Sequence, residues 1–108
     1  MNLIDHRLLA ELSAKAQNSP RLRMNHNFHQ SLEDKSQRML NALEPGTQLD
    51  IHRHPQTAET YIVLKGSIRV IFYDDQKNVS EQVVLDPLKA VYGLDIPAGQ
   101  FHTLEVLE

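Results

Sequence analysis

Apolar side chains recur every four positions at the start of the chain, at Ile4, Leu8, Leu12 and Ala16, with Leu9 widening the stripe. That period predicts one amphipathic helix over residues 1–19. Asp5 stands where an N-cap would, Ile4 and Leu9 occupy the two positions of a hydrophobic staple, and Asn18, Ser19 and Pro20 end the run. Such a helix packs on the outside of a domain or at a subunit contact. After Pro20 the period falls to two. Strand-like runs are expected at Met24–Gln30, Gln37–Leu43, Thr47–His54, Glu59–Lys65, Ser67–Tyr73, Val79–Leu85, Leu88–Ile96 and Phe101–Leu107. Glu44-Pro45-Gly46, Lys65-Gly66, Asp74–Asn78, Asp86-Pro87 and Pro97-Ala98-Gly99 separate them with turn residues. Gln30–Ser36 reads equally well as a loop or a helical turn. The expectation is an all-β domain of some eight short strands over 20–108, preceded by one helix.

Composition narrows the function classes. At 108 residues and 12.4 kDa the chain is the size of one domain. Eleven basic against fourteen acidic residues leave a net charge of −3, which argues against a nucleic-acid partner. The lack of cysteine excludes a disulfide scaffold, a thiolate zinc site and a thiol nucleophile. The longest apolar runs, Tyr61–Leu64 and Val70–Tyr73, are far short of the roughly 20 residues of a membrane span. No secretory h-region interrupts the charged start, so a soluble cytoplasmic protein is expected.

Six histidines are many for this length, and three of them fall at 52, 54 and 102. Alternate strand residues face the same way, so His52 and His54 would project together, with Cα atoms roughly 6–7 Å apart. Both rings could then reach one ion at about 2.0–2.1 Å. Glu59 opens the next strand and can return a carboxylate to the same ion. His102, just past the Pro97–Gln100 turn, is the one late histidine left to complete the set.

In order, Gly46, His52, His54, Glu59 and Gly66 carry the spacing of the first cupin motif, and Pro97-x-Gly99-x2-His102 resembles the heart of the second. The second motif departs at two positions that are not ligands: Val91 replaces its early glycine, with Gly93 nearby, and Val106 replaces an asparagine. With Ser19-Pro20-Arg21, Asn27-Phe28-His29 and Gln37-Arg38, the chain resembles the WbuC-type cupin metalloproteins, small bacterial proteins encoded in surface-polysaccharide clusters. That resemblance implies a single cupin jelly-roll barrel holding one divalent metal on His52, His54, Glu59 and His102. Family members usually continue past the last histidine, so a chain stopping at Glu108 reads as truncated or as a shorter relative.

Three imidazoles and a carboxylate suit Fe, Mn, Zn, Ni, Co or Cu, and the ligand types do not choose among them. Four protein ligands would leave open positions, as a reactive site requires. A redox-active ion would suit a dioxygenase; a redox-inert one would act as a Lewis acid for an isomerase, epimerase or hydrolase. Glu59 is either a fourth ligand or a general base. Tyr61 shares its parity and either orients a ligand or satisfies a buried carbonyl. His29 faces either the interior or the surface, and an inward Arg38 would clamp a carboxylate or phosphate. Arg69, flanked by Ile68 and Val70, reads as outward, and His6 and His26 as surface residues. The expected ligand is a small molecule, carbohydrate included, either transformed or merely bound. Exposed edges and the helix favour a homodimer.

Overall fold

The computed structural model describes residues 1–108 as one helix and seven short strands in small antiparallel sheets. It divides into two compact units, Met1–Thr47 and Gln48–Glu108.

In the first unit, helix α1 (His6–Gln17) begins where Asp5 accepts a hydrogen bond from the Leu8 amide at 2.9 Å. It ends at Asn18, whose amide and side chain both donate to the Ala14 carbonyl. Those contacts satisfy backbone groups that a helix terminus otherwise leaves unpaired. Leu12 and Ala16 are the buried members of the predicted stripe, whereas Ile4 is exposed. The helix packs on a hairpin of β1 (Arg23–Asn27) and β2 (Met39–Leu43), paired from Arg23 opposite Leu43 to Asn27 opposite Met39. Between these strands, residues 30–36 form turns and no helix. Asp34 accepts from the Gln30 amide at 2.8 Å, and the Gln37 side-chain amide donates to the carbonyls of Leu32 and Asp34. Those side-chain bonds take the place of a ladder. Both strands are accordingly shorter than the apolar pattern predicts.

The second unit holds the remaining five strands. β4 (Ile68–Tyr73) lies between β5 (Val79–Leu85) and β7 (Phe101–Val106). β3 (Glu59–Ile62) pairs with β6 (Gly93–Ile96) from Glu59 opposite Ile96 to Ile62 opposite Gly93. Val70, Leu85 and Ile96 are fully buried, and His102 is buried with them at 1 % exposure. The pairings form open sheets and do not close into a barrel. No helix is long and apolar enough to cross a membrane.

The strand expected over Glu59–Lys65 ends at Ile62, and two further expected strands are altered more deeply. Thr47–His54 forms no regular strand and is held by a single bridge at His52. In Leu88–Ile96 the first residues belong to a 3₁₀ turn, Pro87–Lys89, and only Gly93–Ile96 remains a strand. The cause is local: Asp86 caps the Leu88 amide at 3.0 Å, and Ala90 takes a left-handed conformation with φ 60°. Proline has no amide to donate to a ladder.

Gly93 is where the β3–β6 pair closes. A Cβ there would overlap the Tyr61 carbonyl and press on Ile62. Gly93→Ala is expected to destabilise the fold by roughly 2–3 kcal/mol, read as a lower urea midpoint with unchanged slope.

Candidate metal centre

Backbone contacts, rather than a strand, place the first histidine pair. The His52 amide donates to the His102 carbonyl at 3.0 Å, and the His102 amide returns to the His52 carbonyl at 2.9 Å. Residues exchanging both bonds stand directly opposite, so their side chains emerge on one face. The two rings are 4.4 Å apart between centroids. Three further contacts fix the surrounding segment. Thr103 Oγ1 donates to the Leu49 carbonyl at 2.7 Å, the Gly99 amide donates to the His54 carbonyl at 2.8 Å, and the Arg53 guanidinium lies 4.4 Å over the Phe101 ring. Gly99 makes its bond from a left-handed conformation, φ 81°, which glycine adopts without steric cost.

β3 supplies the other side. Glu59 and Tyr61 share the inward face of that strand, with Thr60 and Ile62 exposed between and after them. Glu59 Oε1 reaches to 2.9 Å from His54 Nε2 and 3.3 Å from His102 Nε2. The ligating atoms of His52, Glu59 and His102 all lie within 4.8 Å of one another. Opposed donors on one ion with bonds of about 2.1 Å are about 4.2 Å apart, so these atoms stand close to coordination spacing. The cluster can hold a metal ion. His102 forms its buried floor, and His54, about half exposed, borders it on the solvent side.

The hydrogen bonding of the rings suits a cation. His52 Nδ1 lies 2.9 Å from the Asp50 carbonyl and His102 Nδ1 lies 2.9 Å from the Gln100 carbonyl. A carbonyl accepts only, so each Nδ1 donates there, which leaves Nε2 as the ring nitrogen available to a cation. Glu59 Oε1 is buried without a hydrogen bond of acceptable geometry, although two imidazole nitrogens crowd it. A buried carboxylate oxygen in that condition is costly on its own and is the expected donor to a cation.

Tyr61 is the other titratable group at the cluster. Its hydroxyl is hydrogen-bonded with His102 Nε2 at 3.3 Å. Burial first, and the charge of Glu59 second, push its pKa from 10.0 up to about 12. His29 and Arg38 belong to the Met1–Thr47 unit and engage each other there. His29 is buried, with Nδ1 3.1 Å from the Arg38 amide nitrogen and 3.0 Å from its carbonyl oxygen, while the exposed Arg38 side chain donates to the Phe28 carbonyl at 3.4 Å. Arg69 pairs across the strands with Glu105 at 2.9 Å. His26 packs edge-on against Phe28. Sequence reading missed the Asp50 and Gln100 carbonyls that orient the rings, and no side-chain pattern could have revealed them. The Arg53–Phe101 contact was also missed; its only signal was that each residue adjoins a candidate ligand.

Two outcomes test this geometry. Glu59→Gln replaces a buried carboxylate oxygen that makes no hydrogen bond of acceptable geometry by a neutral amide able to donate to an imidazole lone pair. The chelator-treated variant is expected to melt no lower than the parent by calorimetry, with a gain of about 1 kcal/mol. The raised Tyr61 pKa means that between pH 10 and about 12 the folded chain holds a proton the unfolded chain has released. Stability contributed by the neutral hydroxyl is therefore complete below pH 10 and falls as pH rises through that window. In Tyr61→Phe this part of the alkaline decline should disappear from urea midpoints measured against pH.

No curated protein and no solved structure matches the chain. A family model described as "Domain of unknown function (DUF6016)" matches residues 4–85, a span that includes His52, His54, Glu59 and Tyr61 and ends before His102. Because that match covers most of the sequence, the chain belongs to the DUF6016 family.

Proposed function

We propose that this protein is a divalent-metal-binding protein of cupin type, with His52, His54, Glu59 and His102 as ligands, acting as a metal-dependent enzyme on a small polar or sugar-linked substrate. The observation that carries the metal assignment is Glu59 Oε1, buried and without a hydrogen bond between imidazole nitrogens. The cupin assignment rests on the two sequence motifs. Surface-polysaccharide metabolism, as the setting, rests on the resemblance to WbuC-type proteins alone.

When bound, an ion on three imidazoles and a carboxylate supplies Lewis acidity toward a carbonyl or hydroxyl oxygen or, if redox-active, oxygen chemistry. The protein's own groups divide the remaining work. His102 and His52 are held rigidly by their Nδ1 bonds and cannot turn away without losing them. Glu59 is the anionic member of the set, charge-compensating a cation and serving as a base if it leaves the coordination sphere. Tyr61 keeps its proton at neutral pH and acts as a hydrogen-bond donor.

A second reading is binding or sensing of a carbohydrate or sugar nucleotide without catalysis. On that reading Tyr61, against His102 and near Glu59, serves as a hydrogen-bonding group to the ligand and not as an acid or base. Turnover of candidate sugar substrates by the loaded protein separates the two readings.

The metal assignment is tested by elemental mass spectrometry on protein purified without chelator or histidine tag. One equivalent of a divalent transition metal is expected in the parent. His52→Ala combined with His102→Ala should lose it while the far-ultraviolet circular dichroism stays β-rich. Full occupancy in the double variant would sink the ligand set. Preparing the parent with and without air then distinguishes an oxidisable iron site from an air-indifferent one.

A further inference from the structure

The hydrogen bonds around His102 leave one proton whose partner must change when a cation is present. His102 Nδ1–H donates to the Gln100 carbonyl, so Nε2 has a single lone pair to offer. Glu59 Oε1 and the Tyr61 hydroxyl each lie 3.3 Å from that nitrogen. Glu59 Oε1 makes no hydrogen bond of acceptable geometry, so the Tyr61 hydroxyl is the group hydrogen-bonded there. A nitrogen lone pair serves either a hydroxyl proton or a cation, and not both. Resting on the metal-centre reading, the consequence is that ion binding releases the Tyr61 proton from its partner while the hydroxyl stays on the inward face of β3 beside Glu59.

We propose that Tyr61 is the donor to an exogenous anionic ligand at the metal centre, one whose coordinating atom keeps a further lone pair. A carboxylate or a deprotonated hydroxyl of a small molecule fits that description; a neutral ligand with one lone pair does not. Tyr61 thereby selects for charge and for a hydrogen-bond acceptor at the coordinating atom. It also gives the centre two states: a metal-free state closed on itself through Tyr61–His102, and a loaded state whose hydroxyl faces the ligand.

The test uses the full chain loaded with Co(II), which reports ligand exchange by visible absorption, and azide as the probe anion. Parent and Tyr61→Phe are expected to take up cobalt equally, and the variant to bind azide about fivefold more weakly, the value of one lost hydrogen bond. Equal azide affinity at equal cobalt content would overturn the assignment and place the Tyr61 proton on Glu59 instead. Failure of the parent itself to take up cobalt would overturn the metal reading, and this proposal with it. If the variant does not fold, the parent still decides: azide should perturb its near-ultraviolet tyrosine absorption, and an unchanged spectrum overturns the role.

Discussion

Two backbone hydrogen bonds between His52 and His102 are the constraint on which the candidate site depends. They join segments fifty residues apart in sequence and set their imidazoles side by side. Everything else at the site is arranged around that pair. Thr103, Gly99 and Phe101 clasp the 49–54 segment from the β7 side, and β3 brings Glu59 and Tyr61 against the same histidine. The contact is anchored in the core, because β7 is also paired to β4 along its other edge, with Phe72 opposite His102. Loosening it would therefore separate ligands and disturb an apolar core at the same time.

The chemistry gathered there is unfavourable for stability and favourable for a cation. Glu59 Oε1 is sequestered from water, hydrogen-bonded to nothing, and faced by imidazole nitrogens. A core selected for stability alone would avoid a buried charge in this condition. Ordinary ion pairs are placed elsewhere: Arg69 and Glu105 meet at the solvent-facing surface, where the desolvation cost is small. The two carboxylates differ: Glu105 is paired and exposed, whereas one oxygen of Glu59 is buried against imidazole nitrogens without a hydrogen bond of acceptable geometry.

The scaffold achieves this with irregular backbone. Residues 49–54 carry two of the proposed ligands without strand structure, and side chains replace the missing ladder: a threonine hydroxyl on one carbonyl and a guanidinium on an aromatic ring. A regular strand would have paired every second residue with β7 and fixed both histidines rigidly. Instead His52 is held by both backbone bonds of its bridge, while His54 has one backbone bond, through its carbonyl, and a half-exposed ring whose Nε2 lies 2.9 Å from Glu59 Oε1. The cluster thus has a buried floor at His102 and a half-exposed rim at His54.

Local rules made much of this legible. Period-four apolar residues and Asp5 marked the helix, because a cap and a stripe are properties of a few adjacent residues. The Glu59/Tyr61 alternation gave the shared face of β3, and the Asp74–Asn78 turn separated β4 from β5. The candidate ligands were visible as a spacing of residue types. Sequence did not decide whether Thr47–His54 would be a strand, since period-two patterning describes only which face is apolar and not whether an edge finds a partner. It did not show that Pro87 would open a 3₁₀ turn and shorten the following strand. Nor could it reveal which carbonyls orient the imidazoles, because every residue carries the same carbonyl. What the sequence determined by itself was the inventory of donors and their local facing. Only the tertiary structure brought the donor atoms of residues 52, 59 and 102 within 4.8 Å of one another, because that proximity depends on strand pairings between distant segments.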